Sequence, residues 1–359
     1  MVTAKALGHA AIGLDTDPLA VLISKAWSAD VDETRIASHG ERVAARARTV
    51  YRGMSVGKAY PKNADAETRA FVRFWFDPTS RRQLASLAAA IHELRASPTK
   101  ALLWCAFSRL IITKTSGASL AMDISHSRPH RVYQTAPVKP LARFEQSLRR
   151  VTRGVLFRRN GNAAPEARIM RGDARAIRLP DCSVDFVITS PPYVTAIDYL
   201  RGHKLSLVWL GYSVNEIRAI RGTNVGAEVG APKNTDVDTM AGELQAMGDV
   251  EHLPSRQQSI LTRYVLDMRA VMAEISRVLV PEGRAVLVVG DSTLRGVFIR
   301  NSEAIKRLGK KSGLVLQSVR RRPIEDRRRY LPPPASAGAG KQLQARMREE
   351  VIVSFRKPD

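Results

Sequence analysis

Four consecutive residues, Ser190, Pro191, Pro192 and Tyr193, follow the apolar run "VDFVIT" and have types that could do chemistry. Proline has no backbone N–H, so a strand must end near Thr189. Each proline also holds the residue before it extended, which makes the segment stiff. The Ser190 hydroxyl and the carbonyls of Ser190 and Pro191 are therefore predicted to be fixed hydrogen-bond acceptors, with the Tyr193 ring as a stacking surface beside them.

Acceptors beside an aromatic ring suit a poorly nucleophilic amine on a planar heterocycle. Hydrogen bonds accepted from both amine hydrogens favour a tetrahedral nitrogen and stabilise the positive charge that develops as this nitrogen attacks. The aromatic ring holds the heterocycle in plane. These residues therefore predict an unstacked nucleobase as the substrate.

The elements that position this segment follow an α/β pattern. Asp17 and Pro18 predict a helix start after the first strand, and apolar residues at 3–4 spacing predict a long helix over 256–280 that ends at Pro281 and Gly283. A further helix is predicted over 303–313. Short apolar runs bounded by Gly, Asp or Pro predict strands in "HAAIGLD" (9–15), "ARIMRGDA" (167–174), "VDFVITS" (184–190), "GRAVLVVGDS" (283–292), "LVLQSVRRRPI" (314–324) and "EEVIVSFRK" (349–357).

The pattern predicts a mostly parallel, doubly wound sheet with a mainly helical insertion. Residues 1–30 form the start of the core, 31–165 the Ala- and Arg-rich insertion, and 166–359 the remaining core. The stretch "LPPPASAGAGK" (331–341) is predicted to be a flexible connection.

Charge points to a polyanionic partner. The 359 residues include 57 Lys and Arg against 34 Asp and Glu, a formal net charge of +23, and nucleic acid is favoured over a membrane surface. The two cysteines, Cys105 and Cys182, lack metal-site spacing and predict neither a disulfide framework nor a zinc site. Asp15 and Asp17 interrupt any signal-peptide core, so we expect a cytoplasmic protein without a membrane span.

The segment "TSPPY" (189–193) resembles the catalytic motif of amino-group DNA methyltransferases. The Ser-Pro-Pro-Tyr form is more usual in cytosine-N4 enzymes, and Asp/Asn-Pro-Pro-Tyr in adenine-N6 enzymes. The resemblance extends through "RGDARAIRLPDCSVDFVITSPPYVTAIDYLRGHKLSLVWLG" (171–211) and "MRAVMAEISRVLVPEGRAVLVVGDS" (268–292). It implies a Rossmann-like, S-adenosylmethionine-dependent enzyme that methylates a base flipped out of double-stranded DNA, most readily at cytosine N4.

The resemblance also implies roles for individual residues. Ser190, Pro191, Pro192 and Tyr193 match the catalytic motif. Asp15 matches the acid that binds the ribose hydroxyls of the cofactor, and Asp173, with its neighbour Ala174, matches the position near the cofactor's adenine. Each aspartate could instead merely cap the helix that follows it. No metal is expected, because "DISHSRPHR" (123–131) offers too few ligands.

One element of the family pattern is missing. A glycine-rich F-x-G-x-G turn should precede the helix before "GLD", and the sequence contains none; "VVGDS" (288–292) lacks the second glycine. We therefore expect that the chain is truncated before that motif. Either the start codon is misplaced, or the protein is a fragment that needs a partner, or it is inactive. The alternatives to a cytosine-N4 enzyme are an adenine-N6 or RNA methyltransferase and a non-catalytic nucleic-acid-binding remnant. A cognate restriction endonuclease is a possible partner.

Arginines and aromatic residues of the insertion could contact DNA, and the insertion is a candidate target-recognition region. For any single arginine, an exposed helix face is the simpler interpretation, and for a tryptophan, core packing. The candidates are Arg42, Arg46, Arg48, Arg81, Arg82, Arg149, Arg150, Arg153, Arg158, Arg159, Trp75, Trp104 and Tyr133 in the insertion, and Arg320–Arg322 and Arg327–Arg329 near a late strand.

Overall fold

The structure is a computed structural model that describes residues 1–111, 116–122, 129–156, 165, 167–192, 198–324 and 349–359. Its helices are α1 (Val2–Ala6), α2 (Pro18–Ser28), α3 (Glu33–Gly53), α4 (Ala66–Trp75), α5 (Pro78–His92), α6 (Pro98–Ile111), α7 (Pro140–Leu156), α8 (Tyr199–Leu207), α9 (Val214–Thr223), α10 (Ala241–Met247), α11 (Ser255–Val278) and α12 (Asn301–Lys311). Short 3-10 turns cover Val56–Lys58, Val208–Leu210, Asp238–Met240 and Val250–His252. The strands are β1 (Ala11–Asp15), β2 (Ala121–Met122), β3 (His130–Arg131), β4 (Ala167–Arg171), β5 (Val184–Thr189), β6 (Leu279–Gly290), β7 (Ser292–Leu294), β8 (Val297–Ile299), β9 (Val315–Pro323) and β10 (Glu349–Arg356).

The main strands pair both in parallel and antiparallel. β1 pairs with β4 in parallel, with Ala11 opposite Ala167 and Asp15 opposite Arg171. A second sheet has the order β5-β6-β10-β9, in which β5 and β6 are parallel while β10 runs antiparallel to both of its neighbours. The α/β class with parallel strand pairs is confirmed; the antiparallel β10 is a feature that the sequence pattern did not predict. Within the described ranges, β1 and β5 each have a strand partner on one side only.

The described chain divides into two compact units. The helical unit comprises 1–171 and 198–221, and the sheet unit comprises 172–197 and 222–359. β1 and α2 therefore pack in the same unit as the predicted insertion, and α8 joins them. The functional division at residues 30 and 165 stays a prediction.

The helical unit forms because amphipathic helices bury their apolar stripes against one another. α3 buries Ile36, Val43 and Ala47, and Gly40 allows α3 to approach α7 so closely that a Cβ would lie 2.3 Å from Leu148 Cδ2. Trp209, at the end of α8, is fully buried. All four tryptophans of the chain lie in this unit, so tryptophan fluorescence reports on its folding alone.

Aspartates begin four helices of this unit by accepting hydrogen bonds from backbone N–H groups. The helices α2, α3, α4 and α5 start after Asp17, Asp32, Asp65 and Asp77 respectively. Asp77 has the most extensive contacts, because it also binds a distant part of the chain. Its Oδ1 accepts from Thr79 N and Ser80 N, both at 3.0 Å, and its Oδ2 accepts from Ala136 N at 3.0 Å.

Replacing Asp77 with Ala is expected to destabilise the helical unit by about 2 kcal/mol. A lost cap costs about 1 kcal/mol and the orphaned Ala136 N–H adds a similar amount. Urea unfolding followed by tryptophan fluorescence measures the change. Asp77→Asn keeps one accepting oxygen, enough for either the cap or the Ala136 N–H, so it should lose about half as much stability. A loss below about 0.5 kcal/mol in Asp77→Ala would contradict the capping role.

The sheet unit has its core on one face of the β5-β6-β10-β9 sheet. Ala285, Leu287 and Val289 of β6 and Val353 of β10 are buried, and they belong to one cluster with the apolar stripe of α11 and with α12. The predicted helix over 256–280 is confirmed, but it ends at Val278 because Leu279 is already extended, with φ −66° and ψ 137°. Residues 331–341 lie outside the described part of the chain.

Candidate functional site

Ser190 lies directly beyond the carboxyl end of β5, as the two prolines predict. Its Oγ donates a hydrogen bond to the Val288 carbonyl of β6 at 3.1 Å, and the residue is exposed. A hydroxyl whose single proton is already donated offers only lone pairs to a further partner. Ser190 is therefore held as an acceptor, which is the property that an amine substrate requires.

The two prolines are supported from a neighbouring loop. Pro191 is buried and Pro192 is exposed. Gly226 adopts φ +73°, and a Cβ at this position would lie 3.3 Å from Pro192 Cγ. Glycine tolerates both the left-handed backbone and this close approach, so it fixes a turn against Pro192. Tyr193 falls outside the described residues, and its stacking role stays a prediction.

Asp15 is the last residue of β1, where the sequence placed it. Its Oδ1 accepts a hydrogen bond from Asp17 N at 2.8 Å. The residue as a whole is exposed, but protein atoms crowd the carboxyl group; this partial burial raises its pKa, and the Asp17 amide opposes the shift. An exposed carboxylate at the carboxyl end of a parallel strand is suited to binding ribose hydroxyls.

Asp17 and His203 form a pair that the sequence did not reveal. Asp17 is buried; its Oδ1 caps α2 through Leu19 N at 2.8 Å, and its Oδ2 lies 2.5 Å from His203 Nδ1. The His203 ring stacks on Tyr199 with ring centres 6.1 Å apart. The pair fastens α8 to the start of α2, two residues beyond Asp15. His203 lies in the segment 171–211 that resembles the methyltransferase family, but the sequence does not indicate its partner. Asp17 is 186 positions away, and the fold alone brings the two side chains together.

The Asp173 carboxylate is already engaged by Arg175, whereas a residue that binds the cofactor needs a free carboxylate. Its Oδ1 accepts from Arg175 N at 2.9 Å, and the Arg175 guanidinium binds both of its oxygens, with the shortest contact at 2.6 Å. Arg175 also reaches Asp267 of α11 at 2.7 Å and the Thr223 carbonyl at 2.5 Å. The hydrogen bonds from Arg175 lower the pKa of Asp173. No helix follows Asp173 between β4 and β5, so the helix-cap alternative is wrong; the aspartate instead holds a turn through Arg175, while Ala174 packs against the core of the sheet unit.

The candidate DNA-contacting arginines divide into engaged and unengaged groups. Arg46 and Arg48 pair with Glu93 and Glu145, and Arg82 donates to two backbone carbonyls. Trp104 is 6% exposed and belongs to the core, as the simpler interpretation predicts. Of the candidate arginines, those that are exposed and form no ion pair in the described ranges are Arg42, Arg149, Arg150, Arg153 and Arg320. Arg158, Arg159 and Arg327–Arg329 lie outside these ranges, as do Asp123 and His126.

The VVGDS segment also has a structural role. Asp291 accepts from the backbone N and the Oγ of Ser302 at 2.9 and 3.0 Å, and Asn301 Nδ2 donates to the Gly290 carbonyl at 2.7 Å. These bonds tie the end of β6 to the start of α12. The polar groups of this segment are therefore used to connect β6 to α12, and the segment does not replace the missing F-x-G-x-G turn.

The sequence was compared with those of known proteins. Type II methyltransferase M.MvaI of Kocuria varians is 24% identical over 346 residues, which cover 87% of this chain and 72% of that protein. The chain is similar to a Type II methyltransferase. No family model matches it.

Alignments with solved structures are weaker. A candidate DNA modification methylase of Thermus thermophilus, complexed with S-adenosyl-L-methionine, is 21% identical over 52% of each chain, with a TM-score of 0.27. An S-adenosylmethionine-dependent methyltransferase of Methanosarcina mazei is 11% identical over 58% of this chain and 78% of that one, with a TM-score of 0.25. The chain thus spans about half the length of the Thermus protein. Of the described helices, none combines the length and apolar composition that crossing a membrane requires.

Proposed function

We propose that the protein is an S-adenosylmethionine-dependent DNA methyltransferase that modifies an exocyclic base amine, and that this amine is N4 of cytosine. The observation that carries the proposal is the Ser190 hydroxyl, whose proton is donated to Val288 so that its lone pairs face an incoming group. The similarity to a Type II methyltransferase supports the same reaction class. Double-stranded DNA, from which the target base is flipped, is the proposed substrate.

We propose that S-adenosylmethionine binds at the end of β1. Asp15 would hold the ribose hydroxyls through its exposed carboxylate, and the Asp17–His203 pair keeps the backbone after Asp15 in place. Near the adenine ring we propose Ala174, with Asp173 shaping the turn through Arg175. When bound, S-adenosylmethionine supplies an electrophilic methyl group.

The catalytic residues act on the base amine. Ser190 and the carbonyl of Pro191 accept its two hydrogens and raise the nucleophilicity of the nitrogen, while Pro191 and Pro192 keep the acceptors from moving. Tyr193 would stack on the base. After transfer the nitrogen is cationic, and the same acceptors stabilise its remaining hydrogens until one proton leaves to solvent. Residues 31–165 are proposed to recognise the target sequence, and a cognate restriction endonuclease would share that sequence.

Methylation of DNA followed by mass analysis of the nucleosides tests the proposal. Incubation with labelled S-adenosylmethionine and unmethylated DNA should yield N4-methylcytosine. Finding only N6-methyladenine would overturn the cytosine assignment but keep the reaction. No label in DNA, together with label in RNA or with no cofactor binding by calorimetry, would overturn DNA methylation itself.

A further inference from the structure

Four residues of the helical unit form what we term the arginine–tyrosine cluster: Tyr60, Arg69, Arg73 and Arg81. The Tyr60 hydroxyl accepts hydrogen bonds from Arg73 Nη1 at 3.3 Å and from Arg81 Nη1 at 3.0 Å. The guanidinium carbons of Arg69 and Arg81 each lie 5.2 Å from the centre of the Tyr60 ring. Three positive groups thus converge on one phenol.

The cluster lacks compensating negative charge. Throughout the described ranges no carboxylate forms an ion pair with Arg69, Arg73 or Arg81, although other arginines of this unit are paired in this way. The nearby acids serve elsewhere, because Asp65 caps α4 through Thr68 N and Glu67 pairs with Arg218. Arg69 and Arg73 are also one turn apart on α4, where like charges repel.

Burial of Arg81 raises the free-energy cost of this uncompensated positive charge. The residue is 6% exposed, and its Nε is buried without a hydrogen-bond partner in the described part of the chain. A buried guanidinium without a counterion is unfavourable, so an anion bound beside it would relieve both desolvation and repulsion. The hydrogen bond from Arg73 lowers the pKa of Tyr60, which agrees with a strongly positive local field.

We propose that the arginine–tyrosine cluster binds a phosphodiester group of DNA. Guanidinium groups present planar pairs of donors that match phosphate oxygens, and Arg69 and Arg73 are exposed on the outer face of α4. Arg69 is held in position by donating Nε to the Ala64 carbonyl at 3.0 Å. The phosphate chemistry stands on the cluster alone, whereas the choice of DNA rests on the proposed function.

Apolar surface next to the cluster favours a nucleic acid over a free phosphate ion. Phe74, which follows Arg73 on α4, is 50% exposed, and the Arg131 guanidinium of β3 lies 5.3 Å from its ring centre. Val132 is 53% exposed. The segment that leads into β2 is bound to the end of α4 through Leu120 N and the Trp75 carbonyl at 2.8 Å, so this short β-hairpin lies beside the helix that carries Arg69 and Arg73. A phosphate contact beside an exposed ring is typical of nucleic-acid binding.

The decisive experiment compares two double variants that lose the same charge. In Arg69→Gln/Arg73→Gln the unpaired arginines are removed, and in Arg46→Gln/Arg48→Gln two exposed arginines already paired with glutamates are removed. Binding of a fluorescent DNA duplex is measured by anisotropy over a range of salt concentrations. We expect the cluster variant to bind about tenfold more weakly or worse, with a salt slope smaller by about one to two, and the control to change by less than about threefold.

Equal losses in both double variants, or no loss in either, would overturn the proposal. Tyr60→Phe provides a second test, since it keeps all charges but removes the hydroxyl that orients Arg73 and Arg81; it should weaken DNA binding while leaving the thermal unfolding midpoint close to that of the wild type. Protection against unfolding by inorganic phosphate that vanishes in the cluster variant, with DNA affinity unchanged, would assign the cluster to free phosphate and overturn the DNA assignment.

Methyl transfer is measured in parallel, so that the two proposals can fail separately. A wild-type protein that methylates DNA, together with a cluster variant that binds DNA normally, would overturn the cluster alone. DNA binding that depends on Arg69 and Arg73 without any methyl transfer would overturn the proposed function alone.

Discussion

Replacing Ser190 with Ala should lower the rate of methyl transfer about 10²- to 10³-fold while leaving cofactor affinity and folding unchanged. Removal of one positioned hydrogen-bonding group from a developing charge has an effect of this size. The hydroxyl is exposed, and within the described part of the chain it bonds to a backbone carbonyl alone, so little stability depends on it. Single-turnover kinetics at saturating cofactor separate this loss from a change in binding.

Ser183 provides a matched control for this substitution. It lies in the same unit, is exposed, and its Oγ also donates to a backbone carbonyl, that of Pro180 at 2.7 Å. Ser183→Ala should leave turnover unchanged. If Ser190→Ala keeps turnover within about threefold of the wild type, the acceptor role of Ser190 is wrong, since a hydrogen bond made only in the transition state must affect kcat. Tyr193→Ala should lose activity as well, because the base would lack its stacking surface.

Local signals in the sequence predicted the elements that depend on neighbouring residues. The Asp17–Pro18 pair located the start of α2, the two prolines located the end of β5, and the apolar stripe located α11 within two or three residues. Such features depend on capping, on a missing N–H and on periodicity, which act over a few residues.

Contacts between distant residues were not predictable in the same way. His203 binds Asp17 across 186 positions, Ser190 binds Val288 across 98, and Arg175 binds Asp267 across 92. Nothing in their spacing distinguishes them from other polar residues. The sequence therefore located the Ser190 segment but could not show that the hydroxyl proton is already donated.

The role of each arginine was likewise decided by packing. Arg46, Arg48 and Arg82 looked like phosphate contacts in the sequence and proved to be engaged with glutamates or carbonyls. The sequence pattern did not single out Arg69 and Arg73, because two arginines one turn apart are common on an exposed helix. The fold distinguishes them, because it places Tyr60 and Arg81 beside them while no carboxylate in the described ranges forms an ion pair with them.

Substitution of Arg175 by Met should destabilise the sheet unit by about 3 kcal/mol, the lower end of the effect of removing one partner from a buried ion pair. The Arg175 side chain is 18% exposed and that of Asp267 is 6% exposed, so the Asp267 carboxylate that it leaves is poorly hydrated. The loss is limited because Arg263 still binds Asp267 at 3.2 Å and Asp173 is partly exposed. Hydrogen exchange of β6 and α11 is the measurement, since the tryptophans do not report on this unit.

The dependence of this stability on pH provides a sharper test. The pKa of Asp173 is lowered in the folded protein, so its ion pair stabilises the fold above the unfolded pKa of about 4, and this contribution is lost as pH falls through the lower folded value. In Arg175→Met that portion of the acid sensitivity should disappear. Arg178→Met, an exposed arginine three residues further on, should retain both stability and pH profile. If the two variants behave alike, Arg175 does not hold the turn after β4, and Asp173 becomes available as the cofactor ligand that the sequence motif predicts.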